Sequence, residues 1–357
     1  MRRLLLGAGA LTLLLAGCTG TSHVTNSQSP SAPASPSVTV PASAALPQLP
    51  LGHVPAKMQL GVDIDLYTYP GQDFAAAAAT DIAYVVGLHA NSVSVSFPFF
   101  MSGSRANSVH TTAATPTPSQ LAVLIHDAEQ AGLYVSIRPL LDETSLGQPR
   151  GHWIPADPAA WFASYQQFLA PYAAMAQAQH AQVFIVGTEF SQFATSQRWN
   201  SLDRALRRGY HGTLACSDNW DSAPYAGNCG ADVSETVDAY HPQSGDLLTG
   251  WEAFDRALPH GTVEAEVGIA AVSGAGQTPW QSHWDVWSLD QSVQARWFTA
   301  ACQAAASTHL GGIYFWPLNY SQTIGSGPTP AYQGWWAGGQ GAHAIATCFA
   351  ALEKAGQ

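Results

Sequence analysis

Residues 158–189 read PAAWFASYQQFLAPYAAMAQAQHAQVFIVGTE. The first two thirds, from Pro158 on, carry apolar residues at helical spacing. The last third, Val183-Phe184-Ile185-Val186-Gly187-Thr188-Glu189, is a short β-rich apolar run that stops on a carboxylate. Helix followed by strand is the repeating unit of a parallel sheet, because parallel strands need a crossover between them. Outward from this unit the same alternation occurs eight times after Met58. The spacing predicts strands at 59–65, 92–97, 134–140, 183–189, 213–217, 237–240, 262–267 and 312–316. It predicts helices at 74–88, 119–131, 158–179, 199–208, 248–258, 292–307 and 342–354, with an irregular fifth connection over 218–235. Eight parallel strands with helical crossovers of fixed hand predict a single-domain (β/α)8 TIM barrel spanning 56–357.

In such a barrel the chemistry sits where the strands end. Those ends carry Asp63 and Asp65, then Arg138 with Asp142 and Glu143, then Glu189, then Asp218-Asn219-Trp220-Asp221. Further round come Asp238 with Tyr240-His241, Glu266, and finally Trp316 with Asn319.

Composition narrows the ligand. The chain has 13 basic and 24 acidic residues, and charged side chains make up 10% of it, against about 25% in ordinary globular proteins. Both basic residues before residue 56 are Arg and no acid precedes that point, so the body carries −13. An acidic, aromatic-rich body with 12 Trp and 12 Tyr excludes nucleic acid as the main partner and favours a neutral ligand such as a sugar. No GxSxG elbow or phosphate loop is present, which argues against an esterase or a kinase. The 13 His show neither an HExxH motif nor clustered Cys/His spacing, so neither a catalytic metal nor another cofactor is expected. The expected state is a monomer.

The first 55 residues have a different purpose. Arg2-Arg3 followed by the apolar run 4–16 has the charged and hydrophobic parts of an export signal, and is too short for a stable membrane span. Leu15-Ala16-Gly17-Cys18 resembles a bacterial lipobox, which predicts a lipoprotein signal peptide over 1–18, lipidation at Cys18 and anchoring at the outer face of the cell membrane. The Ser/Thr/Pro/Ala-rich stretch 19–55 reads as an extended linker. The four remaining cysteines are an even number in an exported protein, where disulfides persist. Three pairings are possible. Cys216 with Cys229 would close the irregular fifth connection, and Cys302 with Cys348 would join the last two helices.

Hydrolysis of a glycosidic bond needs one carboxylic acid to protonate the leaving oxygen and a second carboxylate to attack or to activate water. Glu189 and Glu266 close strands four and seven, across the barrel mouth from each other. Trp316 and Trp220 offer faces on which a pyranose can stack, and Asn219 offers hydrogen bonds to sugar hydroxyls, with Asp65, Asp142 and Asp221 as further candidates. Tyr240 is placed to donate to Glu266. Arg138, in a strand, belongs to the substrate-binding set and needs a carboxylate partner. Strand alternation offers Glu264 for that, one layer below Glu266 and second choice as nucleophile.

The segment 151–189, with Trp153, Trp161, Tyr165, Tyr172 and Val186-Gly187-Thr188-Glu189, resembles glycoside hydrolase family 113. These are retaining β-mannan-degrading barrels of clan A. The likeness continues through Trp199, Arg207, Tyr210-His211-Gly212, Ser217 to Asp221, Asp238-Ala239-Tyr240, Glu266-Val267-Gly268, Pro279-Trp280, Gln291 and Gly312 to Trp316, covering most of the body. The resemblance implies Glu189 as acid/base and Glu266 as nucleophile, acting on an oligo- or polysaccharide. Thr188 stands where clan A enzymes often have Asn. Ile269 and His241 replace an expected Tyr and an expected aromatic, and 228–235 lacks a Phe-Trp-Asp run. These departures surround the sugar site and bear on substrate. An exo-acting β-glycosidase, a transglycosylase and a non-catalytic sugar-binding lipoprotein are the alternatives on the same scaffold.

Overall fold

The computed structural model describes residues 58–356 apart from 223–228, 231–233, 282, 286–287, 309, 322–323 and 326. The export signal, Cys18 and the linker lie outside the described residues, as does much of the fifth connection. Strand β1 (Gln59–Asp65) is followed by helix α1 (Phe74–Gly87), and β2 (Ser92–Met101) by a two-residue strand β3 (Val109–His110) and α2 (Pro118–Gln130). Then come β4 (Tyr134–Leu141), α3 (Pro158–Ala178), β5 (Val183–Thr188), α4 (Arg198–Leu206), β6 (Thr213–Asn219) and β7 (Ser234–Asp238). The chain ends with α5 (Leu247–Ala257), β8 (Val263–Val267), α6 (Gln291–Ser307), β9 (Gly312–Asn319) and α7 (Gln340–Lys354).

All strands except β3 pair in parallel in chain order, and β1 pairs with both β2 and β9, which closes an eight-stranded barrel ringed by helices. The expected fold is therefore present, with most boundaries moved by a residue or two. The larger differences are that β2 runs on to Met101 and pairs antiparallel with β3, and that β7 ends at Asp238, leaving Tyr240 just past it. Helix starts follow their capping residues. Asp73, Asp157, Asp246 and Asp290 each accept a first-turn N–H, and Thr117 with Gln120 forms a capping box. Between strands and helices lies an aromatic-rich core that includes Trp161, Tyr165, Trp199, Trp251 and Trp297. A separate inner cluster of Tyr134, Val183, Ile185, Ala215 and Ala265 packs together. Disulfides join Cys216 to Cys229 and Cys302 to Cys348, the second tying α6 to α7.

Two strands break step near their ends. The register slips in β5 between Ile185 and Gly187, and in β8 between Glu264 and Val267. Such bulges put consecutive residues out of the strict alternation of faces and re-aim side chains. Ala265 belongs to the inner cluster and Val267 to the outer core, yet Glu266 between them lines the mouth of the barrel. This overturns the expected partnership of Glu264 with Arg138. The bulge takes Glu264 off the face of Glu266 and sets it, fully buried, against Asp255 of α5.

Candidate active site

A cleft of about 780 Å³ opens at the C-terminal ends of the strands. Glu189 and Glu266 both line it, together with Asp65, Asn219, Trp220, Asp221, Tyr240, Trp316 and Asn319. Asp142 lies to one side, accepting a 2.7 Å hydrogen bond from Tyr67.

Glu189 follows the bulge of β5 in a left-handed conformation, φ 56°, a region costly for a residue with a Cβ and found mostly where function requires it. Its N–H donates to the Ser217 carbonyl at 2.8 Å, which ties the turn to β6. The preceding bulge needs glycine, since a Cβ on Gly187 would lie 2.9 Å from Trp199 and 3.0 and 3.1 Å from the sulfurs of Cys229 and Cys216. Arg150 Nε stands 3.5 Å from Glu189 Oε2 and 3.5 Å from Glu143 Oε1. Burial raises the Glu189 carboxyl above the ordinary range, Arg150 opposes this, and the charge of Glu266 adds to it.

Glu266 has a different environment. Arg138 Nη1 approaches Oε2 to 2.6 Å, and the Tyr240 hydroxyl donates a short hydrogen bond to Oε1. Burial, and then the Glu266 charge, push the Tyr240 hydroxyl upward, so it keeps its proton to donate. Arg138 is wholly enclosed and does not line the cleft. The expectation that it contacts substrate is corrected, because its donors are spent inside the barrel. Nη2 reaches Asp238 at 2.6 Å, Nη1 also reaches Asp63 at 3.2 Å, and Nε donates to Thr188 at 3.3 Å. Ser217 and Ser96 donate in turn to Asp238 and Asp63. Burial opposes the charge on Arg138, and Asp238, Glu266 and Asp63 sustain it. Thr188, standing where Asn was the alternative, thus accepts from the arginine that holds Glu266.

Trp220 stacks with Trp280 at 5.9 Å and 14°, and His241 meets Trp220 edge-on at 5.3 Å. His241 therefore supports an aromatic platform in place of the aromatic expected there. Asp65 lines the cleft with its carboxyl pushed up to about 8, by burial first and then by Asp63 and Glu266. Among the described residues no group of three His, Cys, Asp or Glu is arranged to hold a metal ion. Arg150 and the aromatic pair Tyr332–Trp335 of the cleft wall were not singled out from sequence. Arg150 lies in the loop after a barrel strand in a chain with few cations, a signal that could have marked it. One carboxyl raised by burial and a second one receiving two donors, in one cleft, can together protonate a leaving oxygen and supply a nucleophile.

A family model described as Glycoside Hydrolase Family 113 matches residues 67–324. Among solved structures, a family 113 β-mannanase from Alicyclobacillus acidocaldarius in complex with ManMIm superposes with a TM-score of 0.71 at 20% identity, covering 85% of this chain and 99% of that one. A family 113 β-1,4-mannanase superposes with a TM-score of 0.70 at 18% identity, covering 82% and 99%. A family 5 mannosidase from Rhizomucor miehei gives 0.51 at 12% identity, covering 84% and 94%. No curated protein matches the sequence.

Proposed function

The chain belongs to glycoside hydrolase family 113 and is a glycoside hydrolase, and from that premise we propose that it cleaves β-mannan or a related β-linked glycan with retention of anomeric configuration. The observation that carries the mechanism is the unequal setting of the two carboxyls, Glu189 raised by burial and Glu266 gripped by Arg138 and Tyr240. In the first step a Glu266 oxygen bonds the anomeric carbon while the glycosidic C–O bond breaks and the Glu189 proton passes to the leaving oxygen. In the second, water attacks the same carbon, gives its proton to Glu189 and releases Glu266. Trp316, Trp220 and Asn219 hold the sugar. The mannan reading is supported by the two family 113 solved structures, which are β-mannanases. Both carboxyls standing in one cleft weighs against a non-catalytic sugar-binding role.

We further propose that the protein is exported and held by a lipid on Cys18, with the linker giving the barrel reach. No helix among the described residues is long and apolar enough to cross a membrane. The deciding experiment is product chromatography over a panel of β-linked oligosaccharides, with NMR of the first anomer released. Cleavage of manno-oligosaccharides with the β-anomer appearing first is expected. Release of the α-anomer would overturn retention, and cleavage confined to another glycan would overturn the mannan reading.

A further inference from the structure

The cleft carries an aromatic pair that the two carboxyls do not use. Tyr332 and Trp335, in the loop after β9, stack at 4.0 Å with 8° between planes, and both line the cleft. Tyr332 is 53% exposed. Among the described residues the exposed large aromatic side chains are Tyr69, Trp280 and Tyr332. Trp280 and Tyr332 line the cleft. Apolar surface left in water and gathered at a cleft marks a binding site more than packing.

The loop is also built to hold still. Gln294 of α6, itself fully buried, points its amide Nε2 at the carbonyls of Gln333, Gly334 and Trp335 at 3.2–3.4 Å and of Ile269 at 3.0 Å. Gln333, 1% exposed, exchanges hydrogen bonds of 2.7 and 2.9 Å with the backbone of Trp284, and its carbonyl accepts from Ala271 at 2.8 Å. A loop fixed at this many points presents its aromatic faces without an ordering cost on binding. The pair lies beyond residue 324, where the family match ends, on a different part of the rim from Trp220 after β6 and Trp280 after β8.

We propose that the stacked Tyr332–Trp335 pair is a pyranose-stacking subsite, taking a ring of the glycan chain other than the one attacked by Glu266. The proposal rests on the β-glycan reading above and extends it to a chain of several units lying along the cleft.

The test compares wild type, Tyr332→Ala and Tyr332→Phe for kcat/KM over ladders of β-1,4-manno- and β-1,4-gluco-oligosaccharides of two to six units. The same ladders are titrated calorimetrically into Glu266→Gln. Expected is a loss in Tyr332→Ala that is about tenfold greater for the longest chains than for the shortest, with Tyr332→Phe following wild type. A loss equal at every length, or none at any length, overturns the subsite and leaves the substrate reading intact. Cleavage of the gluco ladder alone overturns the mannan reading, while a length-dependent loss on that ladder upholds the subsite. Binding of neither ladder overturns both.

Discussion

Arg138 Nη1 lies 2.6 Å from Glu266 Oε2 with the arginine side chain wholly enclosed in the barrel. The cation is therefore a fixed part of the floor beneath the carboxylate, and only the carboxylate faces the cleft. Arg138 also ties β4 to β1 and β7 through Asp63 and Asp238, so a single residue links the stability of the barrel mouth to the aim of Glu266.

Replacing Arg138 by Met leaves Asp63 and Asp238 buried without their cation, which costs about 3–5 kcal/mol. Calorimetry should show a clearly lowered Tm. Arg138→Lys keeps the charge and loses the fork, so it should unfold later than Arg138→Met yet remain slow in turnover. A Met variant as stable as wild type would contradict this account of the floor.

The two carboxyls should separate by leaving group. Glu266→Ala should abolish hydrolysis of every substrate. Glu189→Ala should lower kcat on manno-oligosaccharides by about 10²–10⁴-fold and retain turnover of aryl glycosides whose leaving group needs no proton. Added azide should speed this second variant by attacking the glycosyl-enzyme. Identical behaviour of the two variants on aryl glycosides would reverse or remove these roles.

Arg150 acts against the raised carboxyl of Glu189. Removing its charge in Arg150→Gln lets the Glu189 carboxyl rise further, so the acid form persists to higher pH. The alkaline limb of the kcat/KM profile should move upward. A limb that stays in place or moves down would show that another group sets it.

Stability should be greatest in mild acid. Asp63 and Asp81 are pushed up to about 6 and Asp65 to about 8, each by burial first. An acid whose folded pKa exceeds its unfolded one binds more protons folded, so stability falls as pH rises from about 4 to about 8. Asp246, Glu252 and Asp290 are lowered by their hydrogen bonds, and their contribution is lost only below about 4. Tm measured from pH 3 to 9 should peak between 4 and 5. A peak above 7 would contradict the burial argument.

A Cys18→Ser form should leave the membrane fraction and appear as soluble protein with its hydrolytic rate retained, because Cys18 is not among the described residues that line the cleft. Fractionation of expressing cells followed by blotting decides this, and membrane retention of the variant would count against a lipid on Cys18.

Local pattern made the barrel legible. The run 183–189 and its seven counterparts declare strands, apolar residues at helical spacing declare the helices between them, and a carboxylate closing a strand marks the chemical end of the sheet. Each signal needs only neighbours within one helical turn or one strand. The likeness to family 113 added roles for Glu189 and Glu266 that spacing alone does not assign.

Alternation also produced the error at Glu264, because the slip of β8 depends on how it slides past β9, and no glycine within 263–267 marks it. The partners of Arg138 come from β1, β5, β7 and β8, and the support of the Tyr332 loop comes from α6, contacts that span tens to hundreds of residues. What this sequence determined by itself was therefore the order of elements and the carboxyl-bearing ends of its strands, since periodicity is a local property of the chain. Which carboxylate meets Arg138, which one burial raises, and which aromatic rings face the cleft were decided by tertiary structure, since burial and charge pairing exist only once distant strands are brought together.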